Sequence, residues 1–257
     1  MSELDRFRMD DRVALVAGGS GGIGVRLCAA FAAVGARVGI IGRRAEGLEE
    51  ARRAAGDALV LTGDMTIEAD ADRVVDEAMQ KWGRVDVLVN AVGGGAGTAL
   101  HKAEEYPESE WDRIVDLNLR SQFLASKAAA RAMIAGGRGG RILNISSVRG
   151  QLGIDNGFSA YVAAKGAMNA LTRQHATEWA KHGITVNAIS PTFVRTPQVE
   201  SLLADQSFVD GLLARIPLHR IAETDDLVGA VLFFCSDASS FCTGQVLTLD
   251  GGLTATQ

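Results

Sequence analysis

The chain has 257 residues, is 47% hydrophobic and 22% charged, and carries a formal net charge of −5. That is enough apolar chain for one sizeable core, and the acidic balance opposes a nucleic-acid surface. No apolar run approaches the roughly 20 residues that span a bilayer, and Cys28, Cys235 and Cys242 are too few and too scattered for a disulfide framework or a metal site.

Strand-like and helix-like segments alternate from the start. The opening Met-Ser-Glu-Leu-Asp-Arg-Phe-Arg is polar and lacks the apolar core of a secretory signal, so a cytoplasmic location without membrane contact is expected. Residues 12–17 read as a buried strand, and 23–34 as an apolar helix stopped by Gly35. A strand at 37–41, an amphipathic helix at 45–55, a strand at 58–62 and a helix at about 67–82 follow. Residues 85–89 give a fourth strand. One long helical region is expected over 109–135, ended by the Gly-Gly-Arg-Gly-Gly turn at 136–140. Then come a strand at 141–145, a helix at 159–182, a strand at 184–189, a helix near 224–236 and a last strand at 245–249. Between 192 and 220 the pattern is irregular, with short helical segments near 197–204 and 206–215. Continuous apolar strands separated by helices predict a parallel sheet covered on both faces. The expected fold is α/β: a single-domain Rossmann fold over 1–257, a doubly wound seven-stranded parallel sheet with helices on both faces.

The loop after the first strand reads Gly18-Gly-Ser-Gly-Gly-Ile-Gly24 and opens the first helix. Glycines allow a tight turn and a close approach of backbone to phosphate, and the helix N-terminus supplies free N–H groups and a partial positive charge. In this strand–turn–helix context Gly18, Ser20, Gly22, Ile23 and Gly24 are candidates for holding a dinucleotide. The second strand ends in Ile41-Gly42-Arg43-Arg44, without the Asp or Glu that binds a ribose 2′-hydroxyl. Arg43 and Arg44 suit a 2′-phosphate instead, which favours NADP(H) over NAD(H). Arg44 has a second reading, as a solvated residue opening the next helix. Asp64, followed by Met65, either touches the adenine edge or caps the helix after it.

Tyr161 and Lys165 stand four residues apart in Ser-Ala-Tyr-Val-Ala-Ala-Lys-Gly, on one face of a helix. A cation beside a phenol favours its anion and lowers a pKa that is ordinarily near ~10. A hydroxyl from Ser146 or Ser147 upstream can hold a carbonyl oxygen against that phenol. These groups together suit proton transfer to or from a carbonyl or alcohol oxygen. Most Tyr-x-x-x-Lys spacings are accidents of helical surfaces, so the pair takes its meaning from the glycine loop. His101, His175, His182 and His219 are dispersed, and no metal is expected.

Along essentially its whole length the chain resembles the short-chain dehydrogenase/reductase family. Gly18, Gly22 and Gly24 fit the TGxxxGxG loop, and Asn90-Ala-Val-Gly93 is similar to NNAG. Asn118, Ser147, Tyr161 and Lys165 match the catalytic set, and Asp64 the adenine-binding Asp. Residues 187–191 with Thr196 fit the nicotinamide segment, and Gly244-Gln245 with Asp250-Gly251-Gly252 the C-terminal signature. Four places depart: Ala17 for the usual Thr, Ala91 for the second Asn, Thr192 for a Gly, and one extra residue between Ser147 and Tyr161. None removes a reacting group. The first two bear on cofactor affinity and the last two on specificity.

The resemblance implies that Tyr161 is the acid or base for a hydride transfer and that Ser147 positions the substrate oxygen. Lys165 would tune Tyr161 and hold the nicotinamide ribose, while Asn118 anchors a water joining Lys165 to solvent. Cofactor contacts are implied for Asp64, Met65, Asn90, Gly93, Tyr161, Lys165, Pro191, Val194 and Thr196. Substrate contacts fall to Ser147, Arg149, Tyr161 and Phe193. Pocket walls are expected at 93–97, 148–158 and 192–220, the last as a lid. If Arg149 and Arg195 both face the pocket they favour an anionic substrate; otherwise they are surface arginines. His219 either reaches the lid or faces water. The small-molecule substrate is then an alcohol or ketone, a polyol or sugar acid as in gluconate 5-dehydrogenase-like members. The alternative is a 3-oxoacyl thioester, as in 3-oxoacyl-carrier-protein reductase-like members. A non-catalytic NADP(H)-binding regulator is the reading from another class, opposed by the intact catalytic set. The family also implies a homotetramer, packed through the helices at about 109–135 and 159–182 and the C-terminal strand.

Overall fold

A computed structural model describes residues 3–94, 100–155 and 157–255. In chain order its elements are β1 (Val13–Ala17), α1 (Gly22–Ala33), β2 (Arg37–Gly42), α2 (Ala45–Ala55), β3 (Leu59–Thr62), α3 (Glu68–Trp82) and β4 (Val87–Asn90). There follow α4 (Glu108–Val115), α5 (Ser121–Gly136), β5 (Gly140–Ile145), α6 (Ser159–Trp179), β6 (Ile184–Pro191), α7 (Glu200–Leu203), α8 (Gln206–Leu213), α9 (Asp225–Cys235) and β7 (Val246–Leu249).

All strand pairs are parallel, in a seven-stranded sheet of order β3-β2-β1-β4-β5-β6-β7. β1 shows why the strands read as continuous apolar runs. Val13, Leu15 and Ala17 join a core with Val74 and Ala78 of α3 and Leu124 and Ala128 of α5. Ala14 and Val16 point the other way, to Leu27 and Phe31 of α1 and Leu227 and Val231 of α9. Both faces are covered, so every side chain of the strand is buried. The chain order reverses between β1 and β4, which opens a crevice at the carboxyl ends of the strands. The loops leaving β1, β2, β3, β4, β5 and β6 all rise at that edge. They carry the glycine loop, Arg43, Asp64, Gly93, Ser147 and Thr196 respectively.

The expected helix over 109–135 is in three pieces. Between α4 and α5 lies a π turn, Asp116–Arg120. Asn118 explains it: its Nδ2 donates to the Ile114 carbonyl at 2.9 Å, the acceptor an α-helix would give to the Asn118 backbone N–H. A side chain that takes the i−4 carbonyl pushes the ladder toward i→i+5 pairing. β4 starts two residues later than expected. The Asp86 carboxylate is occupied just before it, accepting from the Val13 N–H at 2.8 Å and from the Arg84 guanidinium at 2.8 and 2.7 Å. α6 ends at Trp179 and the chain continues as a 3-10 turn, Ala180–His182, closed by Gly183 at φ +73°.

After β6 the chain makes a clasped excursion. Val194 bridges to Ala222, the Arg195 N–H donates to the Ala222 carbonyl at 2.8 Å, and the Arg195 guanidinium meets Glu223 at 3.0 Å. Residues 196–221 thus form a loop whose two ends touch. It holds α7 and α8, and it has its own small core of Leu212, Ile216 and Ile221 with Leu253.

Candidate active site

The glycine loop is held against the end of β2: the Gly18 and Gly19 N–H groups donate to the Ile41 carbonyl at 2.9 and 3.0 Å. Gly18 has φ +84°, and a Cβ there would stand 2.6 Å from the Ala91 carbonyl carbon. A Cβ on Gly24 would overlap the Gly18 carbonyl oxygen, and one on Gly22 would stand 2.9 Å from the Thr196 Cβ. Three glycines therefore keep the floor of a groove open. Gly18→Ala forces both a left-handed backbone and a collision with main chain, so a loss of about 1–3 kcal/mol is expected. Thermal melts with and without NADP(H) check this, and an unchanged melting temperature would contradict it.

The groove holds about 390 Å³ and is lined by Gly18, Ser20, Ile23, Gly42, Arg43, Asp64, Met65, Gly93 and Thr196 among others. Arg43 is exposed, with Nη1 3.6 Å from Asp64 Oδ2. A Cβ at Gly42 would stand 2.9 Å from Leu48 and 3.1 Å from the Ser20 hydroxyl, so a carboxylate has no ready place there. A bare backbone floor at a helix N-terminus with a cation at its far end fits a dinucleotide carrying a 2′-phosphate. Asp64 lines the groove and also caps a local turn, its Oδ1 accepting from the Thr66 N–H at 2.9 Å and hydroxyl at 2.8 Å. It does not cap α3, which begins at Glu68. Arg44 sits at the N-cap of α2 and is not part of the lining.

Asn90, expected at the cofactor, lies beneath the groove instead. Its Nδ2 donates to Asn144 Oδ1 and to Ser126 Oγ, both at 2.8 Å, and Asn144 Nδ2 donates to the Thr172 hydroxyl at 2.9 Å. This buried seam ties β4, β5, α5 and α6 together under the site. Asn118 tethers the loop after β4 to the π turn: its Nδ2 donates to the Gly94 carbonyl at 2.9 Å and its Oδ1 accepts the Gly94 N–H at 3.1 Å. A Cβ on Gly93 would stand 3.0 Å from Asn118 Oδ1 and 3.4 Å from Lys165 Nζ, so only glycine lets these groups crowd together.

The two serines differ. The Ser146 hydroxyl donates to Asn169 Oδ1 at 2.6 Å and is committed to α6. Ser147 Oγ accepts the Arg149 N–H at 3.2 Å and faces the cavity with Tyr161. Burial pushes the Tyr161 phenol up, while the hydrogen bond from Ser147 and the charge of Arg149 pull it down. Lys165 is buried, donates from Nζ to the Ile145 carbonyl at 2.9 Å and lies 5.6 Å from the Tyr161 ring centre. Burial lowers its ammonium from 10.5 to about 8.

Ser147, Tyr161 and Lys165 line a cavity of about 160 Å³ that adjoins the glycine-loop groove at Ile23, Gly93 and Thr196. Arg149, Ile154, Phe158, Pro191, Phe193 and Gln198 complete its wall. Of the two arginines in question, Arg149 faces the cavity and Arg195 does not; Glu223 holds it outside. His219 is exposed on a turn at φ +49° and faces water. Residues 95–97 and 156 of the expected walls lie outside the described residues. Among the described residues no cluster of His, Cys, Asp or Glu has metal-binding geometry. Two residues escaped the sequence reading. Asn169 lies four beyond Lys165, a helical spacing that marks it. Gln198 reaches Gly94 from the excursion, and nothing in its sequence neighbourhood points there.

Comparison with known proteins decides the family. A family model described as enoyl-(acyl carrier protein) reductase matches residues 17–254. Gluconate 5-dehydrogenase of Gluconobacter oxydans is 38% identical, covering 99% of each chain. The chain belongs to the short-chain dehydrogenase/reductase family. An uncharacterized oxidoreductase of Mycobacterium tuberculosis is 39% identical over 98% of this chain and 94% of its own. The crystal structure of a gluconate 5-dehydrogenase from Burkholderia cenocepacia, in complex with NADP and tartrate, superposes at a TM-score of 0.92 with 35% identity, covering 100% of both chains. This family member is an NAD(P)-dependent oxidoreductase of the alcohol–ketone kind.

Proposed function

We propose that the chain interconverts a secondary alcohol of the polyol or sugar-acid type and its ketone, using NADP(H), with Tyr161 as general acid and base. The convergence of Ser147, Tyr161 and Lys165 on one small cavity at the mouth of the glycine-loop groove carries this reading. When bound, the nicotinamide gives or takes the hydride. The Ser147 hydroxyl donates to the substrate oxygen and fixes its place. In reduction Tyr161 hands that oxygen a proton; in oxidation it takes the proton away. Lys165 holds the ribose hydroxyls beside Tyr161, and Asn118 keeps the loop that presents Gly93 in register. Relatives named for gluconate and galactitol oxidation support the substrate class. The test is a panel of sugar acids, hexitols and their ketones, followed by nicotinamide absorbance with NADPH and NADH. No turnover of any member with either cofactor ends the reading.

Cofactor choice rests on Arg43. Losing a charge-assisted hydrogen bond to a 2′-phosphate takes away about 1.5–3 kcal/mol, so Arg43→Ala should weaken NADPH roughly 10- to 100-fold and leave NADH nearly unchanged. Equal loss for both cofactors would move the phosphate contact elsewhere.

One observation favours 3-oxoacyl thioesters as the second reading. The cavity shares Ile154 and Phe158 with a wider hollow of about 760 Å³ near Leu100 and Val162, where an acyl chain has room. A short 3-oxoacyl thioester turned over faster than any sugar acid would favour it. For assembly we retain a homotetramer, supported by exposed Trp111 and Phe123 beside the α5 face and by Leu247 on the edge strand β7. The free cysteines suit a reducing compartment such as the cytoplasm.

A further inference from the structure

We propose that Arg149 selects substrates bearing a carboxylate, its guanidinium holding the acid group while Ser147 and Tyr161 engage the reacting oxygen. The inference rests on the alcohol–ketone reading above and narrows its substrate to short hydroxy and oxo acids.

Arg149 is 7% exposed and lines the cavity. One hydrogen bond is made by its side chain, from Nη1 to the Gly153 carbonyl at 3.1 Å. Among the described residues no carboxylate pairs with it. The chain treats its other sheltered arginines differently. Arg84 is paired with Asp86 at 2.7 Å, and Arg141 reaches Asp237 at 3.4 Å and the Ser236 carbonyl. A buried cation without a counter-charge is expensive, and among the described residues the remaining N–H groups of its fork have no protein acceptor. The charge of Arg215, at the end of the α8 turn, adds to this, because it bears on Arg149 with the same sign. An anion entering the cavity relieves both.

Geometry narrows the anion. The Arg149 N–H donates to Ser147 Oγ, so the arginine backbone is fixed two residues from the group that places the reacting oxygen. Ile154, Phe158 and Phe193 give the wall apolar surface, and the space is about 160 Å³. A flat guanidinium edge matches a flat carboxylate through two parallel hydrogen bonds. A neutral polyol can accept hydrogen bonds but leaves the guanidinium without a counter-charge.

The experiment is calorimetric titration of the NADP+-saturated protein with tartrate, with threitol as the uncharged four-carbon counterpart, and with inorganic phosphate. Tartrate is expected to bind, and threitol at least tenfold more weakly. Arg149→Leu should weaken tartrate roughly 10- to 100-fold, the range for a lost charge-assisted pair, with Arg149→Lys in between. The ratio of kcat/KM for gluconate over galactitol should fall by a similar factor. NADP+ affinity, measured in the same variants, reports whether they fold. Tartrate affinity that is absent, matched by threitol, or indifferent to Arg149→Leu overturns the proposal, as does phosphate binding more tightly than tartrate. Each of those leaves the oxidoreductase reading standing. Failure of NADP+ itself to bind brings down both.

Discussion

Tyr161→Phe is expected to lower kcat at least about a hundredfold, as removal of a general acid–base group does, while NADP(H) binds as before. The substitution removes one oxygen and keeps the ring, so the edge-on contact with Phe158 at 6.4 Å and the place beneath Lys165 survive. What disappears is the only phenol in the cavity lining. Ser147 remains and, in the proposed role, still donates to the substrate oxygen, but its proton is far harder to release. The pH dependence follows from the environment. Burial raises the phenol, and Ser147 and Arg149 restrain that rise. Reduction needs the protonated phenol and is lost as pH climbs through its pKa; oxidation needs the anion and gains over the same interval. Steady-state rates in both directions across pH, with cofactor affinity from fluorescence, check this. Near-normal turnover in the Phe variant, or a cofactor affinity lost along with it, would sink the assignment.

The second large effect belongs to Lys165. Lys165→Met should abolish most activity and change how stability depends on pH. In the folded chain the ammonium titrates at about 8, against 10.5 for an unburied lysine. Below about pH 8 both folded and unfolded chains carry the proton, and the fold bears the whole penalty of burying it. Between about 8 and 10.5 only the unfolded chain holds the proton, so unfolding takes one up and stability rises with pH. That interval corresponds to about 3 kcal/mol at ~1.36 kcal/mol per pH unit. The stability of the natural chain minus that of the Met variant should therefore rise by up to that amount between pH 7 and pH 10.5. Urea unfolding of both proteins at several pH values measures it. A flat difference would mean that the ammonium keeps its ordinary affinity for the proton in the fold, through solvation or pairing. The Met variant also takes away the donor to the Ile145 carbonyl, but that loss lowers the pH 7 baseline and not the slope.

Much of this was legible in the sequence, for identifiable reasons. The inner strands are buried on both faces, so their apolar runs needed no partner to be recognised. Gly18 and Gly24 are fixed by backbone contacts, and Gly22 by the Thr196 side chain. Tyr161 and Lys165 obey local helical spacing. The break in the helix at 116–120 was not legible, because its cause is one side-chain amide competing for the Ile114 carbonyl while the apolar period runs on unbroken. The fates of Arg149 and Arg195 were not legible either. Both lie in irregular segments without a period to set direction: Glu223, distant in sequence, draws Arg195 outward, and the local 3-10 turn Val148–Gly150 rolls Arg149 inward. The setting of the Asn90 side chain is hidden in the sequence for a related reason. Its neighbours Asn144 and Ser126 come from other elements, and only assembly shows that they occupy its amide.

The touching ends of the 196–221 excursion carry a consequence for how this enzyme diversifies. A loop whose ends are already joined adds little closure entropy when its interior lengthens or shortens. The Val194–Ala222 bridge joins those ends beside β6. The segment is therefore an exchangeable cassette. Descendants can trade its length and side chains to greet new substrates while the proton-transfer machinery stays where it was, and a grafter of specificity should cut at that junction.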